Sequence, residues 1–351
     1  MTQTITYEER LRGFEWSVAE RELGHRAGNP INIGWMCSDR ICRMGHGARR
    51  ALVWEGSQGN GRTYSFDDLR VLSNTLADYL KTLGVRPGER VCLFLDRVPE
   101  LYFAFLGILK LGAVVQPLFS AFGDESLFTR LKDAGACAVF TQRRHLAKVR
   151  KVRSALPELR HVIVVDAGDA PLQPGELGLT LDRMPRCQDF PVHPTTSESP
   201  SLLHYTSGTT GQPKGAQHVH GSVISQYLTA KWVLDLREGD VYWCNADPGW
   251  VTGTSYGIIG PWANGVTQVV LDSGFQAGRW YDFLARHKVT VWYSAPTAIR
   301  LLMKEGKELP RRFDLSSLRH LASVGEPLNA EAVIWSRETF GIPFLDTCWL
   351  T

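Results

Sequence analysis

The sequence lacks any C-x-x-C pair and any large charge imbalance. It also lacks an uninterrupted apolar run of the ~20 residues that a bilayer span requires. Each absence excludes a class of protein. The seven cysteines, at positions 37, 42, 92, 137, 187, 244 and 348, are odd in number and scattered. They read as reduced thiols, mostly buried as small apolar residues, and point to a cytoplasmic protein. Lys and Arg number 39 against 36 Asp and Glu, a net charge of +3. That balance gives no bulk attraction to nucleic acid or to an anionic membrane. The most membrane-like stretch, Leu101 to Phe119, is broken by Lys110, Gln116 and Pro117, so a buried helix followed by a buried strand is expected there. Met1-Thr2-Gln3-Thr4 runs into Glu8-Glu9 without a secretory pattern. A composition of 44% hydrophobic and 21% charged residues over 351 positions excludes a disordered or fibrous chain and suggests about two domains.

What is present is an alternation of short apolar runs with helical patterns. Residues 1–60 are rich in Gly, Trp and charge with weak periodicity, and are expected to form an irregular wrapping segment. From Thr63 the signal sharpens. Ser65 is placed to cap a helix carrying Leu69, Leu72, Leu76, Leu80 and Leu83, stopped by Gly84 and Pro87. Strands are predicted at Val91–Leu95, Ala113–Leu118, Ala136–Phe140 and His161–Val165, with helices between them. Residues 167–200 hold six prolines and read as a linker. The alternation then resumes, with strands at Val241–Cys244, Thr267–Leu271, Thr290–Tyr293, His320–Val324 and Pro343–Leu345. Buried strands separated by helices imply parallel sheets covered on both faces. The expected fold class is therefore α/β with two βα-type sheets in tandem: a first subdomain over 61–185 and a second over 186–351.

The sharpest motif is Thr206-Ser207-Gly208-Thr209-Thr210-Gly211-Gln212-Pro213-Lys214-Gly215, following the apolar run Leu202–Tyr205. Its glycines allow close backbone approach, its hydroxyls sit among N–H groups, and Lys214 adds a mobile charge, a combination suited to nucleotide phosphates. It is not a Walker A loop, because Pro213 precedes the lysine and no Ser or Thr follows it. A plain surface turn rich in Gly and Thr is the competing reading of such residues.

This decapeptide occurs together with Tyr242–Gly253, Tyr293–Ala298, Ser323–Leu328 and Asp346–Thr351. In that order the motifs resemble the adenylate-forming acyl-CoA synthetases, and most closely those acting on acetate. The resemblance implies the two stacked sheets of that family's large N-terminal domain and a two-step ligation using ATP with Mg2+, then CoA. It implies that Thr206, Ser207, Gly208, Thr209, Thr210, Gly211 and Lys214 hold the leaving pyrophosphate. Gly325, Glu326, Pro327 and the run Asp346, Thr347, Cys348, Trp349, Leu350 and Thr351 would line the nucleotide site. Val251, Thr252, Val324 and Trp349 would form the acyl pocket, with Trp349 as its floor, and Thr252 and Ala295 would border the CoA tunnel. Where the family usually has an aromatic residue, this chain has Cys348, which weakens the expectation of stacking on adenine there; an inert buried thiol is the other reading. The family pattern continues beyond Thr351 with a magnesium-binding Glu, a ribose-binding Asp and a lid domain carrying the adenylating lysine. On that basis the catalytic lysine is unassigned, and the 351 residues alone are expected to have little ligase activity.

Three further features admit more than one reading. Arg143–Arg153 packs six positive charges into eleven residues. In the family an arginine cluster near here meets the CoA phosphates, which would give Arg143 and Arg144 that role; a solvated helix face is the alternative. His204, His218 and His220 lack a third ligand at sensible spacing, so no metal site is assigned, and structural or substrate-lining roles are expected. Gly253-Thr254-Ser255-Tyr256-Gly257 matches a nucleophile elbow, with Asp272 and His287 in hydrolase order. Pro248 and Gly249 intervene after the preceding strand, so a helix is expected to begin near Ser255. A serine hydrolase and a noncatalytic nucleotide-binding module are the rival functions. The expected partners are small molecules; the sequence leaves the oligomeric state open.

Overall fold

The computed structural model describes residues 8–9, 12, 14–169, 171–206, 212–349 and 351. Its strands are β1 (Arg50–Glu55), β2 (Gly61–Ser65), β3 (Arg90–Phe94), β4 (Val114–Pro117), β5 (Ala138–Thr141), β6 (His161–Val164) and β7 (Glu176–Gly178). They continue as β8 (Pro200–Thr206), β9 (Lys214–Val219), β10 (Val241–Cys244), β11 (Thr267–Leu271), β12 (Val291–Ser294), β13 (His320–Ser323) and β14 (Phe344–Asp346). They form two seven-stranded sheets, in the orders β7-β6-β5-β3-β4-β8-β9 and β14-β13-β12-β10-β11-β1-β2.

Both sheets follow one plan. From a central strand, β3 or β10, the chain adds the next strand on one side and the following three on the other. A hairpin completes each sheet beyond, β8–β9 in the first and β1–β2 in the second, antiparallel within itself and parallel to its neighbour. The strands that follow β3 and β10 by helical crossovers are parallel, so the crossovers cover the sheet faces.

Sheet membership does not follow the linear division expected from the sequence. The segment up to residue 60 contains β1, which is buried over five of its six residues and pairs in parallel with β11. Strands β8 and β9 belong to the first sheet rather than to a second unit. The reason is non-local: each hairpin finds its partner strand far away in sequence, and composition alone does not report that pairing. The proline-rich 167–200 segment also contributes a short strand, β7, beside β6.

Local chemistry sets the element ends. Ser65 caps the helix Phe66–Thr82 as expected: its hydroxyl accepts from the Asp68 amide at 3.1 Å, and Asp68 accepts from the Ser65 amide at 2.9 Å. The helix Pro99–Lys110 is buried on every side, which explains its unbroken apolar run. No described helix is long and apolar enough to cross a membrane. In the second sheet Trp243 stacks on Trp292 at 5.6 Å, with Trp280 and Phe283 edge-on or tilted against it.

Candidate active site

In open α/β sheets ligands sit outside the carboxyl ends of the strands, where the strand order reverses. Here β10 is that reversal point in the second sheet, and a cleft of about 680 Å³ opens beyond it. Its walls come from both sheets. The first contributes the end of β8, His204 to Thr206. The second contributes Ala246, Asp247, Gly249 and Trp250 after β10, then Val251 and Thr252 on the first turn of the next helix. Tyr293, Ser294 and Ala295 at the end of β12, Val324, Gly325 and Glu326 after β13, and Thr351 complete it.

The two sheets meet at this edge because Gly249 has no side chain. A Cβ there would lie 2.4 Å from the Phe119 amide nitrogen and 2.5 Å from its Cα, in the segment following β4. Only glycine lets the backbones approach so closely. Trp250 then packs against Phe119 and Phe122, with centroids at 5.8 and 6.0 Å. Gly325 has φ +105°, a conformation that other residues rarely adopt, and it turns the chain from β13 across the cleft.

The structure therefore brings Thr206, Val251, Thr252, Ala295, Val324, Gly325, Glu326 and Thr351 into the lining of one cleft. Lys214 faces Thr206 across the β8–β9 hairpin register, at the open end of the loop, and is exposed. Ser207, Gly208, Thr209, Thr210, Gly211 and Leu350 lie outside the described residues. Asp346 and Thr347 hydrogen-bond to segments that line the cleft. Asp346 Oδ2 accepts from the Leu328 amide at 3.2 Å, holding the turn through Pro327 onto β14. The Thr347 hydroxyl donates to the Ser323 carbonyl at 2.8 Å and lies 2.7 Å from the Tyr293 hydroxyl. Trp349 packs edge-on against Tyr256 at 5.0 Å, beside Tyr293 and Val324. Cys348 is exposed.

Charge in the cleft is unevenly placed. Glu326 is held ionised, its carboxyl pKa lowered first by the Thr297 hydroxyl and then by the Arg300 guanidinium, both hydrogen-bonded to it. Burial pushes the Asp247 carboxyl upward, against the opposing pull of the Gly249 amide at 2.8 Å and the Arg97 charge. Burial also lowers His204 to about 3, with His218 adding repulsion, so its imidazole is neutral. His204 lies edge-on to His218 at 5.5 Å, while His220 accepts from the Ile33 amide at 3.0 Å. No group of three or more His, Cys, Asp or Glu residues among those described could hold a metal ion.

The basic run forms the helix Arg143–Arg153, which follows β5 in the first sheet. Most of its charges have protein partners. Arg144 pairs with Asp96, Arg150 is bidentate on Glu176 at 2.7 and 2.8 Å, and Lys151 pairs with Asp124 at 2.8 Å. Lys148 donates to the Phe122 carbonyl at 2.9 Å, Arg153 to that of Pro174 at 2.9 Å, and the Arg143 amide to Asp166 at 2.7 Å. The nucleophile-elbow motif sits in a helical stretch, Val251 to Ala263, with a π-helical turn at Ser255–Ile259. Ser255 is buried and accepts from Gln226 at 3.0 Å, whereas His287 lies 3.3 Å from Glu55. The strand-to-helix turn that a hydrolase serine needs is absent there.

Several cleft residues were not singled out from the sequence: Tyr205, Asp247, Gly249, Trp250 and Ser294. Their signal was position, at or just after the carboxyl ends of β8, β10 and β12.

Comparison with known proteins agrees with this architecture. The profile of the AMP-binding enzyme family matches residues 42–351. The acetyl-coenzyme A synthetase of Bacillus subtilis (strain 168) is 41% identical over 348 residues, covering 98% of this chain and 60% of that protein. The acetyl-coenzyme A synthetase of Deinococcus radiodurans is 39% identical, covering 92% of this chain and 53% of its own length. The crystal structure of a Brucella canis acyl-CoA synthetase superposes with a TM-score of 0.89 at 28% identity, over 97% of this chain and 61% of that one. The chain thus spans three fifths or less of the length of these two curated relatives. With the family profile matched from Cys42 to the last residue and the two-sheet cleft in place, the chain belongs to the AMP-binding enzyme family.

Proposed function

We propose that this chain supplies the nucleotide and acyl sites of a ligase that joins acetate, or another short carboxylic acid, to CoA at the expense of ATP. The observation that carries the reading is the cleft itself. The end of β8, which leads into the glycine-rich loop, lines the same cleft as Val251, Thr252 and Val324 and as Gly325–Glu326. A carboxylate oxygen would attack the α-phosphorus of Mg–ATP, forming the acyl-AMP anhydride as the bond to pyrophosphate breaks. The CoA thiolate would then form the thioester and release AMP.

In this reading the metal arrives with the nucleotide as part of the substrate. Thr206, Lys214 and the loop between them receive the pyrophosphate, Gly325, Glu326 and Thr351 border the adenylate, and Asp346 and Thr347 hold that border in place. Val251, Thr252, Val324 and, behind them, Trp349 limit the acyl group. Thr252 and Ala295 border the path of the thiol. Arg144 would have to leave Asp96 to meet a CoA phosphate, so Arg143 is the better placed of the two. Positioning and charge neutralisation are what such transfers chiefly require.

Calorimetric titration with AMP and with acetyl-sulfamoyladenosine, a stable acyl-adenylate analogue, tests the proposal. The analogue should bind more tightly than AMP and be displaced by Mg–ATP. Absence of binding by either at millimolar concentration would contradict it.

A further inference from the structure

His204 touches the cleft but has no place in the scheme above. Its Nε2 lies 2.8 Å from the Thr254 hydroxyl, and that hydroxyl donates to the Val251 carbonyl at 3.0 Å. The hydroxyl thereby links the imidazole to the backbone of the turn. Both side chains are buried.

The link joins distant parts of the molecule. His204 stands two residues before Thr206 on β8 of the first sheet, and Thr254 ends the helical turn Val251–Thr254 that follows β10 of the second. Two apolar side chains would fill the same space at a smaller desolvation cost. What the polar pair adds is direction, since a hydrogen bond fixes one register of the turn where packing alone tolerates several. Gly253 tightens the same turn, because a Cβ there would lie 2.1 Å from the Asp247 carbonyl oxygen.

Resting on the adenylation reading above, we propose that His204, through Thr254, is a positioning residue that sets where Val251 and Thr252 stand and so determines which acyl chain lengths the cleft accepts. The imidazole is neutral, so it holds the pocket wall and does not pair with the acid's carboxylate. The ring thereby couples the strand leading to the phosphate loop with the wall against the acyl group.

The test compares binding of AMP, acetyl-sulfamoyladenosine and butanoyl-sulfamoyladenosine to the wild-type chain and to His204→Leu, Thr254→Val and Thr254→Ser. Thermal unfolding is recorded for each. The acetyl-over-butanoyl preference should fall by up to about tenfold in His204→Leu and in Thr254→Val, the size of one lost hydrogen bond. Combining His204→Leu with Thr254→Val should lose no more than either change alone. Thr254→Ser keeps the hydroxyl and should restore the preference, while AMP affinity changes by less than about threefold throughout. An unchanged preference in Thr254→Val, or equal losses for AMP and both analogues, would overturn the assignment while leaving the adenylation reading standing. A wild-type chain that binds none of the three ligands would overturn both.

Discussion

Replacing Gly249 by alanine should separate the two sheets where they form the cleft. The added Cβ would lie 2.4 Å from a backbone atom of Phe119, where ordinary contact begins at 3.4 Å, so the edges must part by about 1 Å. The opposing atoms are backbone, and no rotamer change relieves them. Overpacking of this kind costs about 1–3 kcal/mol of stability. The larger effect should fall on binding, because Thr206 moves with one sheet and Val251 with the other. A gap of about 0.5–1 Å forfeits a quarter to a half of each dispersion contact, which for a ligand touching both walls implies roughly tenfold weaker binding. Calorimetry with acetyl-sulfamoyladenosine and thermal unfolding together measure both quantities. Gly274→Ala is the control, since nothing lies within 4 Å of its added Cβ. If Gly249→Ala matched Gly274→Ala in both stability and affinity, the cleft would not depend on the close approach at Phe119.

Four further outcomes follow from the same structure. Lys110 is fully buried and pairs with Asp39 at 2.6 Å and with Asn74 at 2.7 Å. Asp39→Ala strands that ammonium and should cost about 3–5 kcal/mol in urea unfolding, whereas Lys110→Met removes the buried charge and should cost less; the reverse order would refute the argument. Lys214→Ala should weaken pyrophosphate binding by about 1.5–3 kcal/mol, the worth of one charge-assisted contact, and leave adenosine binding unchanged; equal loss for both ligands would contradict its placement. Burial lowers His204 to about 3 and His220 to about 4, below the ~6.5 of an unfolded chain. The unfolded state therefore takes up protons first. This stability is complete above about pH 6.5 and is lost as pH falls toward the folded values. The unfolding midpoint should drop between about pH 7 and 5, and a flat profile would count against buried neutral imidazoles. Trp349→Gly should open the space beside Tyr256 and Val324, raising affinity for four- to six-carbon acyl-sulfamoyladenosines and lowering it for acetyl. An unchanged preference in a folded variant would make Trp349 structural.

The parts of the fold carried by local pattern were legible. The helix Phe66–Thr82 starts at its expected Ser65 cap and ends just before Gly84, and strands β3 to β6 fall within two residues of their expected bounds, because each strand is a continuous apolar run bounded by turns or charge. The tandem of two covered sheets was also legible. The assignment of hairpins to sheets was not: β1 pairs with β11 and β8 with β4, contacts that no local window contains. At the site, motif segments identified the wall residues Val251, Thr252, Val324, Gly325 and Glu326. The close approach of Gly249 to Phe119 and the bond between His204 and Thr254 join residues from opposite sheets, and these needed the assembled structure. The basic run was readable as a helix, but its partners Asp96, Glu176 and Asp124 lie 25 to 50 positions away and carry no local signal.

The central claim is that one cleft between two sheet edges receives both the nucleotide and the acid. A crystal structure of the chain with acetyl-sulfamoyladenosine tests it most directly. The acetyl group should lie against Val251, Thr252 and Val324, the sulfamoyl group toward Thr206, and the adenosine along Gly325–Glu326. Density for the ligand at any other place, or with the acetyl end turned away from Val251 and Thr252, would contradict it.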